Sequence, residues 1–89
     1  MANIVLIVDD DDAVLNMLYK VIKSNGIEAD TCSSGETALE MVAKQTYDLI
    51  LLDINMQGMD GFQVVDTLRK QGIKTPIIIR GSLSVPIWG

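Results

Sequence analysis

Short apolar runs alternate along the chain with segments of helical period. Ile4-Val5-Leu6-Ile7-Val8 is continuous and mostly β-branched, which predicts a strand buried on both faces. It stops in four acids, Asp9 to Asp12. Val14, Leu15, Leu18, Val21 and Ile22 then fall on one helical stripe, with Asp12 as the expected N-cap and Gly26 just past the end. Ile27 to Cys32 reads as a weaker strand. Ser33 with Glu36 fits a capping box for a second helix that carries Ala38, Leu39, Met41 and Val42 inward. Leu49-Ile50-Leu51-Leu52 is another buried strand, ending on Asp53. Asp60 caps a third helix, with Phe62, Val65 and Leu68 inward and Gly72 at its close. Pro76-Ile77-Ile78-Ile79 completes the set as a strand whose leading proline needs no N–H partner. The order β-α-β-α-β-α-β implies right-handed crossovers and a parallel sheet with helices packed on it.

Composition narrows the function. The 89 residues suffice for one small domain, and 48% hydrophobic content favours folding over disorder. Twelve acids against seven bases give a net charge of −5, which argues against direct contact with nucleic acid. With no histidine, the commonest metal ligand and the Ser-His and Cys-His catalytic pairs are excluded. Cys32 is alone, so the chain holds no internal disulfide and no thiolate zinc site; it suits a reducing cytoplasm. The longest apolar run is five residues, too short for a membrane span, and the first ten residues carry no basic signal-peptide region.

Ligands of open parallel sheets bind beyond the carboxyl ends of the strands. There the pattern places Asp9, Asp10 and Asp53. Converging carboxylates repel unless a cation lies between them, and oxygen ligands alone favour Mg²⁺. A carboxylate beside Mg²⁺ can accept a phosphoryl group. Acids at these positions also serve simply as loop-start and N-cap residues, the role assigned to Asp11 and Asp12, and spacing alone leaves both readings open.

Ile4 to Asp10 (IVLIVDD), Leu49 to Phe62 (LILLDINMQGMDGF) and Thr75 to Ile79 (TPIII) closely resemble a bacterial two-component response-regulator receiver domain. The resemblance covers about residues 3–80. It implies an α/β, flavodoxin-like sheet of order 2-1-3-4, incomplete beyond the fourth strand. It also implies that Asp53 accepts a phosphoryl group from a sensor histidine kinase or phosphotransfer protein. By the same resemblance Asp10, Asp53 and the backbone carbonyl of Asn55 bind Mg²⁺, with Asp9 acting through water.

Departures from the family pattern qualify this. Gln57 replaces a loop proline, and Gly81 stands where a phosphoryl-binding Ser or Thr is usual, with Ser82 one residue later as a weak substitute. Arg80 puts a charge where the family has an apolar residue. None of Lys20, Lys23, Lys44, Lys70 or Lys74 fits the family's strand-end lysine. The usual fourth helix, fifth strand and fifth helix have no counterpart, and Trp88 is expected to pack rather than switch. The expected division is a partial receiver domain over 1–80 and an atypical tail over 81–89. Leu83, Val85 and Ile87 alternate, so the tail is expected either as a hairpin edge strand or as a strand paired with another chain. Ile7, Leu51 and Ile78 are expected to face water unless a second copy covers them, which predicts a homodimer. Two further readings are a receiver-derived interaction module with impaired phosphotransfer and a small Mg²⁺-dependent aspartyl phosphohydrolase.

Overall fold

The computed structural model describes residues 3–54, 56 and 60–80. Strand β1 spans Ile4–Val8, helix α1 Asp12–Ser24, β2 Glu28–Cys32, α2 Gly35–Lys44, β3 Leu49–Asp53, α3 Gly61–Lys70 and β4 Ile77–Arg80. The strands form one parallel sheet in the order β2-β1-β3-β4. The four strands and three helices expected between residues 4 and 79 are present, in a flavodoxin-like arrangement. The alternating tail and Trp88 lie outside the described residues.

The central strand shows why the first apolar run has no alternation. Leu6 and Val8 point to one face, where Ile50, Leu52, Ala38, Val64 and Leu68 pack beneath α2 and α3. Val5 and Ile7 point to the other, against Leu15 and Ala29 and the half-buried Leu18 and Ile22. Both faces of β1 are therefore removed from water, the condition under which a strand gains from being apolar throughout. Ile7 is fully buried, contrary to the expectation that it would face water, because α1 lies over the central strand. Leu51 is half-buried beneath the same helix, and Ile78 on the outer strand is 52% exposed as expected.

Local chemistry shifts three expected details. The N-cap of α1 is Asp11, not Asp12: its side chain accepts from the backbone N–H groups of Ala13 and Val14. In a run of four acids the cap is set by which one has extended backbone, here Asp11. Helix α2 is capped by Ser34 rather than Ser33, with its hydroxyl accepting from the Thr37 N–H at 3.2 Å. For α3 the cap Asp60 stands as expected and forms a capping box with Gln63. Its inward face, however, runs through Gly61, Val64 and Leu68, which leaves Phe62 47% exposed. Val21, one position off the buried stripe of α1, is likewise exposed.

Cys32 at the end of β2 and Tyr47 just before β3 are both buried in the core beneath α2 and α3. Burial pushes the Cys32 thiol up from its usual 9.0 to about 11. Burial also raises the Tyr47 hydroxyl, which donates to Asp30 Oδ2 at 2.7 Å. A protonated form favoured by folding stabilises fully below the unfolded pKa and is lost as pH rises through the folded one. Stability is therefore expected to hold below about pH 9 and to fall by about 3 kcal/mol towards pH 11, with Tyr47 adding to the loss above pH 10. Urea midpoints measured from pH 8 to 11 check this, and Cys32→Ala should flatten the first part of the decline. The same buried thiol should resist alkylation at pH 8 until the chain is unfolded.

Candidate phosphoryl and metal site

The carboxyl ends of β1 and β3 are neighbours, with Val8 paired to Leu52 in register. The residues that follow, Asp9 and Asp10 after β1 and Asp53 at the end of β3, are thus brought to one edge. One carboxylate oxygen from each of the three lies within 4.8 Å of those of the other two. Asp9 is 3% exposed, Asp53 half-buried and Asp10 exposed. Asn55, Gln57, Gly81 and Ser82, also named from the sequence, lie outside the described residues.

Asp9 is tightly held. Its Oδ1 accepts from the Asp11 N–H at 2.9 Å, and its Oδ2 from Arg80 Nη1 at 2.7 Å. The backbone N–H of Asp9 also reaches the Cys32 carbonyl at 3.2 Å, extending the β1–β2 ladder past its last pair. Arg80 is therefore not an uncompensated charge in a strand: its guanidinium reaches past β3 and meets the buried carboxylate at the end of β1. No local pattern revealed this, since the partners are 71 residues apart.

Gly61 builds the other wall. Its N–H donates to the Ile54 carbonyl at 3.3 Å, bringing the start of α3 against the end of β3. A Cβ here would lie 2.9 Å from both the Asp53 carbonyl oxygen and Ile54 Cα, a distance that forces backbone to move. Gly61 lies within the Leu49–Phe62 motif but is given no role of its own there. A glycine directly after an N-cap, where better helix formers are available, was the signal for it.

Three carboxylates at this spacing suit a hard divalent cation with oxygen ligands. Two unit charges 4 Å apart near a protein surface interact by about 4 kcal/mol, so counter-charge is needed to hold such acids together. Arg80 supplies part of it.

The profile of the response regulator receiver domain matches residues 5–84. The chain belongs to that family. It is 43% identical over 74 residues to the heme response regulator HssR of Staphylococcus aureus, covering 83% of this chain and 33% of that protein. It thus spans about a third of the length of such curated relatives. Among solved structures, it resembles the chemotaxis response regulator CheY4 of Vibrio cholerae, with TM-score 0.91 and 32% identity over 97% of this chain and 73% of that one. It also resembles the response regulator TrrA of Thermotoga maritima, solved in complex with Mg²⁺ and BeF. There the TM-score is 0.83 and the identity 34%, over 92% of this chain and 71% of that one.

Proposed function

We propose that this chain is a phospho-accepting receiver of a two-component system, with Asp53 taking the phosphoryl group from a phosphohistidine of a sensor kinase or phosphotransfer protein. The observation that carries it is the convergence of Asp9, Asp10 and Asp53 at the carboxyl edge of the sheet, in a chain of the receiver family.

Asp53 ends a strand whose flanks are fixed, with the Ile54 N–H donating to the Arg80 carbonyl at 2.7 Å and Gly61 packed behind it. Its carboxylate is presented at the edge without rearrangement of the sheet. In the transfer, a carboxylate oxygen of Asp53 forms the new O–P bond while the N–P bond to imidazole breaks. The electron pair returns to the imidazole nitrogen, which takes up a proton. Asp10, Asp53 and the Asn55 carbonyl would hold Mg²⁺, with Asp9 acting through water. Bound Mg²⁺ would neutralise the acidic cluster and the incoming phosphoryl oxygens. The reading places the protein in the cytoplasm, where kinase and Mg²⁺ are available; among the described residues no helix is long and apolar enough to cross a membrane.

Incubation with acetyl phosphate and Mg²⁺, followed by intact mass, tests the reading. One phosphoryl group should be added to the wild type and none to Asp53→Asn. Gly81 offers no hydroxyl where the family has one, and loss of one such donor typically slows transfer by about 10²–10³-fold. Labelling is therefore expected to be slow; uptake by Asp53→Asn equal to the wild type would refute the assignment.

We also infer self-association. Ile78 on the outer strand is 52% exposed, and Leu49 and Leu51 on the same side of the sheet are only half-buried. A second copy laid on this face would remove that apolar surface from water. Light scattering at micromolar concentration should report a dimer, and a cooperative monomer would exclude it.

A further inference from the structure

We propose that Arg80 is a built-in counter-ion of the acidic cluster, one that competes with a divalent cation for Asp9. The inference rests on the reading that Asp9, Asp10 and Asp53 form the Mg²⁺ site. Both oxygens of the buried Asp9 are engaged, Oδ1 by the Asp11 N–H and Oδ2 by the Arg80 guanidinium. At 2.7 Å the second contact is a short, charge-assisted bond. Arg80 is paired in register with Asp53, yet its side chain ends on Asp9, one strand further away. The guanidinium therefore lies along the edge where the three carboxylates meet.

A divalent cation entering that cluster comes close to a fixed positive charge, and the two repel. The partners are unequal in freedom. Asp9 has a side chain only 4% exposed and is held from the backbone, whereas the Arg80 side chain is 40% exposed. Arg80 can withdraw into water at little desolvation cost; Asp9 cannot follow it. A hydrated cation that draws on Asp9 thus competes with the guanidinium for Oδ2, and metal loss lets the guanidinium return. Arg80 would keep the cluster folded without metal, at the expense of metal affinity.

Amide NMR titration with MgCl₂ at matched ionic strength, on the full chain and on Arg80→Leu and Arg80→Gln, tests this. Arg80→Gln keeps a donor for Asp9 without the charge, which guards against a folding defect in Arg80→Leu. Both variants should bind Mg²⁺ roughly tenfold more tightly than the wild type, the scale of one lost charge-assisted contact. Melting in EDTA should be lower for the variants, with a larger rise on adding Mg²⁺ than in the wild type. Perturbation at residues 9–12 and 53 with affinity equal to or below that of the wild type in both variants would overturn the inference while leaving the metal site in place. No perturbation there in any of the three proteins would overturn the metal site and the inference together.

Discussion

Truncating Leu52 to Ala is expected to remove about 2–5 kcal/mol of stability, the range for emptying a fully buried leucine site. Leu52 is completely buried and lies in the sheet between Val8 of β1 and Ile79 of β4. Its side chain packs beneath α2 and α3 with Ala38, Val64 and Leu68, and the cost within that range depends on how far these helices can settle into the gap. Small domains have total stabilities of about 5–15 kcal/mol, so the variant should stand close to its unfolding threshold at room temperature. Because Leu52 directly precedes Asp53, the site should loosen with it. Urea denaturation provides the measurement, and Val21→Ala the contrast. That side chain is 54% exposed, and its truncation should stay within about 0.5 kcal/mol of the wild type.

Gly61→Ala is the second large effect, and here the harm comes from an added atom. The new methyl would meet the Asp53 carbonyl oxygen and Ile54 Cα at 2.9 Å, both of them backbone. No side-chain rotation relieves that contact, so α3 must move away from β3 or the end of β3 must bend. Overpacking of this kind typically costs about 1–3 kcal/mol. The displacement falls on the residue that carries the acceptor carboxylate, so Mg²⁺ affinity and phosphoryl uptake should both decline. Gly72→Ala separates this from ordinary glycine effects. Gly72 adopts φ +81 with nothing within 4 Å of the added carbon, so it should lose about 1–2 kcal/mol of stability and leave the site intact.

Much of the architecture was legible because the central strands β1 and β3 announce their burial. A run such as Ile4 to Val8, apolar on successive positions, fits only a strand covered on both sides, and α1 on one face and α2 with α3 on the other provide that cover. The acids at the ends of β1 and β3 were legible for the same reason, since strand ends in a parallel sheet share one edge. Helix phase was harder to read. Phe62 and Val64 both suit an apolar stripe, and the close approach of Gly61 to Asp53 and Ile54 selects the phase that buries Val64. Adjacent equivalent residues hid the caps: Asp11 and Asp12, or Ser33 and Ser34, differ only in backbone conformation. The coverage of Ile7 depended on where α1 lies across the sheet, which periodicity does not encode. Arg80 was visible as an anomaly in an apolar strand, but its partner, Asp9, became apparent only when β1, β3 and β4 were laid side by side.

Chemical trapping of the phosphoryl linkage tests most directly that Asp53 is the acceptor. After incubation with acetyl phosphate and Mg²⁺, borohydride reduces an aspartyl phosphate to homoserine, and peptide mass spectrometry then locates the altered residue. Homoserine at position 53, absent when acetyl phosphate is omitted, is the expected result. Conversion at Asp9 or Asp10 instead, or phosphoryl uptake that leaves residue 53 as aspartate, would contradict it.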